Sequence, residues 1–179
     1  GTTLFGGTVN GLTSVTTDAG GTTAIDGGGV TTTGDQTYGD AGTLGANTTL
    51  TGANSSFASV DGDGNDLTLN FTGATAINGA TFANIRNLAS GNGGTTSLTG
   101  AISTTGTQTY SDAVTLAGDT TLSSSGAGAA ANIAFGSTVN GAQALIVNTS
   151  GATTFGGLVG SGTALTSLTT NAGGTTAIN

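Results

Sequence analysis

Leu67, Leu69 and Phe71 alternate with Thr68 and Asn70, so every second residue is apolar. That is the period of a strand with one buried face. The pattern predicts Leu69 inward and Thr68 outward. The segment returns further along the chain as Leu145, Ile146, Val147 and Asn148, which predicts Val147 inward at the equivalent position of the next long repeat. Apolar anchors also recur at coarser steps. Tyr38 to Phe57 and Leu50 to Leu69 are steps of 19, Ile77 to Leu98 of 21, Phe135 to Phe155 of 20 and Ile146 to Leu168 of 22. A step of that size is one coil of a parallel β-helix, built of short strands each followed by a turn. The turns are marked by Asn10-Gly11, Asn78-Gly79 and Asn140-Gly141, which favour positive φ. Only Phe82, Ile85, Leu88 and Ala89 approach helical spacing, and Gly91-Asn92-Gly93-Gly94 cuts that run short. A bent strand or a small deviation from the coil is expected there.

A longer repeat encloses the coil. Gln36 to Leu50 and Gln108 to Leu122 share ten of fifteen positions at an offset of 72. Ala19-Gly20-Gly21-Thr22-Thr23-Ala24-Ile25 recurs whole at 172–178, with a middle copy at Gly93-Gly94-Thr95-Thr96. Repetition on this scale means stacked units that share a continuous core. The expected fold is all-β: one parallel β-solenoid over residues 1–179, with coils of about 19–22 residues and four coils per long repeat. It reads as a window cut from a longer repetitive protein.

Composition narrows the function. Gly, Thr and Ala supply 35, 40 and 25 of the 179 residues, and there is no Pro, Cys, Met, Trp or His. A large aromatic core is out of reach, but a narrow column of small apolar residues is not. All nine acids are Asp and Arg86 is the one base, for a net charge of −8. Nucleic-acid binding needs Lys and Arg to neutralise phosphates, so it is excluded, and anionic membrane surfaces are disfavoured. No run approaches the roughly 18 apolar residues of a membrane helix.

Phrases such as Gly106-Thr107-Gln108-Thr109-Tyr110-Ser111-Asp112-Ala113-Val114-Thr115-Leu116, Phe135-Gly136-Ser137-Thr138-Val139-Asn140-Gly141 and Leu165-Thr166-Ser167-Leu168-Thr169-Thr170 resemble the repeats of giant bacterial exoproteins similar to filamentous haemagglutinin. The resemblance covers essentially the whole chain. It implies a right-handed parallel β-helix, export across a Gram-negative outer membrane, and work as a cell-surface fibre or adhesin. It carries no catalytic residues, and no clustered carboxylates with a neighbouring base stand in this sequence to receive them. No cofactor is expected.

The sharpest local signal is Asp61-Gly62-Asp63-Gly64-Asn65-Asp66. Asp61, Asp63 and Asn65 occupy the first, third and fifth places of a calcium loop. Asp66 stands where that loop needs Gly, and Thr72 where it needs Glu. Asp61, Asp63, Asn65 and Asp66 are therefore the candidate ligands of a weak calcium site. The bland alternative is a solvated turn, and the loop's counterpart, Val139 to Ala144, has no acid. Asn-x-Ser/Thr at Asn47, Asn54, Asn70 and Asn148 is no more frequent than composition predicts. Tyr38 and Tyr110 are expected to cap the core rather than bind sugar, and Arg86 to be exposed rather than paired with an Asp of a neighbouring coil. The expected function is a rigid rod of an extracellular fibre that self-associates or adheres to glycans or other cells. A surface-layer or sheath component and an ice-binding solenoid are the alternatives. The latter is disfavoured because Thr31-x-Thr33, Thr49-x-Thr51 and Thr107-x-Thr109 do not recur once per coil.

Overall fold

The computed structural model describes residues 1–179 and is a solenoid of parallel strands with three sides. Side 1 runs through Thr2–Phe5, Thr22–Ile25, 41–44, 59–61, Phe82–Ala83, 100–104, 120–124, Ala144–Asn148 and Ser167–Thr170. Side 2 is an unbroken nine-stranded sheet: Val9–Leu12, Gly29–Thr32, Thr48–Gly52, Leu67–Phe71, Leu88–Gly91, Gln108–Tyr110, Ile133–Phe135, Ala152–Phe155 and Thr175–Ile178. Side 3 holds Val15–Thr17, 36–38, 55–57, Ala74–Asn78, 95–98, 113–116 and Val139–Asn140. Strands Gln36–Leu44, Thr95–Thr104 and Ala113–Ser124 carry on round the corner from side 3 to side 1. Their register slips there, between Tyr38 and Ala41 and between Leu98 and Gly100. Nine layers at about 4.8 Å make a rod roughly 40 Å long.

One coil has no core of its own, so it is stable only against its neighbours. The alternation seen in sequence supplies that contact. Leu67, Leu69 and Phe71 point inward and are fully buried, while Thr68 and Asn70 lie outward. The inward residues form one cluster down the axis. Aromatic rings stack coil over coil: Tyr38 on Phe57 at 5.4 Å, and Tyr110, Phe135 and Phe155 in a run at 5.4 and 5.0 Å. Both tyrosines are therefore core residues. The core has one gap of about 10 Å³, beside Gly42. The counterpart of Gly42 in the next long repeat is the buried Val114.

Four of the five expected coil steps are register pairs: Tyr38–Phe57, Leu50–Leu69, Ile77–Leu98 and Phe135–Phe155. The fifth is displaced by one residue. Leu145 pairs with Leu168, whereas Ile146 pairs with Thr169 and faces outward. The region around Phe82 is the expected deviation from the coil. It is reduced to a two-residue strand, Phe82–Ala83, and side 1 continues past it only through the bridge Ile85–Thr104. The sole helical element is the 3-10 turn Gly128–Ala131. It lengthens its own coil, in which Tyr110 pairs with Phe135, relative to the next, in which Phe135 pairs with Phe155. Gly11 and Gly141 take the positive φ that their turns predict. Gly79 does not; glycine is needed there because a Cβ would strike the Ala101 backbone.

The long repeat is not four coils. Gln36 lies on side 3 and its counterpart Gln108 on side 2. Counting sides between them gives eleven, or three and two-thirds turns. Thr22 on side 1, Thr95 on side 3 and Thr175 on side 2 are likewise eleven sides apart. So are Leu69 and Val147: both are fully buried, as expected, but on sides 2 and 1. The unit is reproduced faithfully and set down each time on a different side.

One polar atom shows what happens when a repeat partner changes. Thr75 Oγ1 accepts from Ser55 Oγ at 3.4 Å. In the next long repeat the pair is Thr153 and Ile133, adjacent in register. Thr153 Oγ1 is buried with no partner. Thr153→Val keeps the shape and removes the orphan, so it should raise the unfolding free energy by about 1 kcal/mol. A rise in the urea midpoint at unchanged slope is the measurement. A lower midpoint would show that the hydroxyl is satisfied.

Candidate functional site

The loop at 61–66 turns through two positive-φ residues, Asp63 at 47° and Gly64 at 78°. Its four candidate ligands have different partners. Asp61 accepts from the Asp63 amide at 3.0 Å and, through both oxygens, from Asn84 Nδ2 at 3.0 and 3.2 Å. Asn65 Nδ2 donates to the Leu44 carbonyl one coil back, at 2.9 Å. Asp66 binds Arg86 in a two-pronged pair, Nε to Oδ1 at 2.7 Å and Nη2 to Oδ2 at 2.9 Å. It also accepts from the Asn87 side chain at 2.8 Å. Arg86 thus has a partner on the neighbouring coil, although it keeps about half of its side chain in water. The guanidinium, and less strongly the Asn87 amide, hold the Asp66 carboxyl below its usual range. Of the loop's three carboxylates, only that of Asp63 is free of protein donors. A cation bound by all four residues would have to displace Asn84 from Asp61 and Arg86 from Asp66. No group of three or more His, Cys, Asp or Glu converges anywhere in the chain.

Asp66 belongs instead to a corner ladder. The Asp66 amide donates to Asn47 Oδ1, the Asn87 amide to Asp66 Oδ1, and the Thr107 amide to Asn87 Oδ1, at 3.1, 3.2 and 2.8 Å. Each side-chain oxygen accepts from the backbone one coil further on. A second ladder holds the corner between sides 2 and 3. Asn54 donates to Asp35, and the Ala74 amide to Asn54 Oδ1 at 2.8 Å. At the first corner, where the chain enters side 2, the Ala152 amide does the same to Asn132 Oδ1, the counterpart of Asn54 in the next long repeat. These contacts satisfy amide donors where the chain enters a strand.

Two polar groups are built into the core. Gln36 Nε2 donates to Thr51 O, Val30 O and Thr32 Oγ1, and its Oε1 accepts from the Tyr38 hydroxyl. Gln108 repeats every bond with the equivalent partners of its own repeat, Ser123, Ile102, Thr104 and Tyr110. Burial pushes both phenols well above their ordinary range. Asp40, almost wholly buried, accepts from Thr23 Oγ1 at 2.7 Å and Thr17 Oγ1 at 2.8 Å. Those hydroxyls, Thr23 first, lower its pKa. A carboxyl whose folded pKa is depressed contributes stability above its unfolded value of about 3.9 and loses it as pH falls through the folded value. Asp66 acts in the same sense. The urea midpoint should therefore drop as the pH falls below about 4. Asp40→Asn should flatten part of that drop; an unchanged profile in the variant would remove Asp40 from the account.

Outside, the chain is plain. No ionised residue lies in any strand of side 2. Its central outward column is Thr49, Thr68, Ala89, Thr109, Ala134, Thr154 and Ala177. The outward pair Thr49 and Thr51 has Gly29 and Thr31 beneath it, and Thr68 and Asn70 above. A two-wide threonine array is therefore confined to one coil. Two shallow grooves flank the Phe82–Ala83 deviation; hydroxyls and small side chains line them, with Asp61 the one charge. What the sequence reading missed were the ladders, although Asn47, Asp66 and Asn87 recur at coil spacing. No helix is long and apolar enough to cross a membrane. No family model, curated protein or solved structure matches the chain.

Proposed function

We infer that the chain is a structural rod: a segment of an extracellular fibre or adhesin on a Gram-negative cell surface. It supplies length and rigidity, and it works by associating with further rods or adhering to glycans or other cells. The observation that supports this is the unbroken nine-stranded side over a continuous core that runs from Val15 to Phe155. Such a stack resists bending because every coil is hydrogen-bonded to the next, and the sum of neighbour contacts grows with length. The buried polar groups serve corners and core. The exposed surface is mostly Thr, Ser, Ala and Gly. A surface-layer or sheath component would use the same rod with lateral contacts dominant.

Sedimentation at several salt concentrations tests the reading. With charges sparse on the sides, repulsion beyond a Debye length of about 8 Å is small. At about 100 µM, in the range of a weak Kd, the protein should sediment as oligomers that change little with salt. A clean monomer throughout would leave adhesion to a foreign ligand as the better account.

A further inference from the structure

We propose that the three sides are interchangeable docking faces for a second copy of this chain, so that rods associate in three directions rather than as a one-sided layer. The inference rests on the self-associating rod above and says how the rods meet. In one turn, Thr37, Thr43 and Thr49 stand outward on sides 3, 1 and 2. Their counterparts in the next long repeat, Thr109, Thr115 and Thr121, are all threonine again and stand outward on sides 2, 3 and 1. An eleven-side repeat in a three-sided rod leaves a remainder, so each outward position moves to another side at each repeat. That arithmetic carries the same outward threonines onto a different side in each repeat.

Three observations favour a second copy as the occupant. The strands of sides 2 and 3 carry no ionised residue, and side 1 carries Asp61, with Asp119 and the buried Asp40 at its corner with side 3. The net charge of −8 therefore sits mainly on turns and corners, where two rods meeting side to side do not press it together. Threonine hydroxyls both donate and accept, so a threonine side is complementary to itself. Strands at about 4.8 Å spacing and about 13 Å long, nine on sides 1 and 2 and seven on side 3, present roughly 440–560 Å² per side, so two sides together bury about 900–1,100 Å², near the lower bound for a specific interface.

The chain has no cysteine, so disulfide trapping reads contacts without background from native thiols. Thr43→Cys, Thr115→Cys and Thr109→Cys place one exposed thiol each on sides 1, 3 and 2. Asp63→Cys, on a turn, reports collisions alone. After mild oxidation of the full chain, all three side variants should form dimers above the Asp63→Cys level, and within about twofold of one another, a difference of under about 0.5 kcal/mol. Trapping from one side alone would overturn the proposal while leaving the self-associating rod intact. Trapping from none, with oligomers still seen in sedimentation, would overturn it in favour of end-to-end stacking. Trapping from none with a monomer in sedimentation would remove the self-associating rod itself.

Discussion

Leu69→Asp should lower the unfolding free energy by at least about 4 kcal/mol, whereas Thr68→Asp, one residue away, should cost less than about 1 kcal/mol. Leu69 is fully buried on side 2 between Leu50 and Ser90 of the adjoining coils. Losing its burial removes roughly 1.5–3 kcal/mol. The carboxylate that replaces it finds no cation, since the single Arg is committed to Asp66 at a corner. An unpaired buried charge adds several kcal/mol, or forces the group to take up a proton. Thr68 lies outward between Thr49 and Ala89, so its substituent stays in water. Urea midpoints at constant slope give both numbers. Equal losses would mean that the inward and outward faces of this strand are reversed.

Gln36→Ala and Gln108→Ala should each cost about 3 kcal/mol, and the two costs should agree within about 1 kcal/mol. Each amide donates to two buried acceptors and one part-buried carbonyl, and accepts a hydrogen bond from a tyrosine hydroxyl. Its removal takes the acceptor from the buried tyrosine hydroxyl and a donor from the others, at about 1–3 kcal/mol for each group left unpaired where water cannot reach; Thr32 and Thr104 keep their bonds to the Gly34 and Gly106 carbonyls. The agreement matters more than the size. The two glutamines stand on different sides of the rod yet make the same four contacts. Matching losses would show that a side change leaves the energetics of the unit intact. A gap above about 2 kcal/mol would mean that the rod's sides differ in a way their contacts do not reveal.

Strands and coil spacing were legible in the sequence because alternation and anchor recurrence report burial directly. They fail where the pattern loses contrast. Leu145, Ile146 and Val147 are three apolar residues in a row, so nothing local marks which one faces out. The error of four coils per repeat has another origin. The offsets between copies of the long repeat divide naturally into four steps of the size of one coil. Sides, however, differ in length, and the two longest offsets span the insertion at Gly128–Ala131. Only the register shows that the division is by sides. The corner ladders went unread because Asn and Asp in turns explain themselves locally, and Arg86 looked solitary because its partner lies a whole coil away in sequence. The calcium pattern of Asp61 to Asp66 matched a spacing, while the fold directs Asp66 and Asn65 toward neighbouring coils.

The eleven-side repeat bears on how such a gene can change in length. In most solenoids a duplication must add whole turns, or the new segment meets its neighbour out of phase. Here the natural repeat already violates that condition, and the core remains filled. What the repeat tolerates is an increment that is not a whole number of turns. Copying or losing such a piece rotates everything downstream by a third of a circle, yet every inward residue still points inward. Replication slippage in so repetitive a coding sequence would therefore yield folded products far more often than a whole-turn rule allows. The length of the rod can then change with little loss of stability.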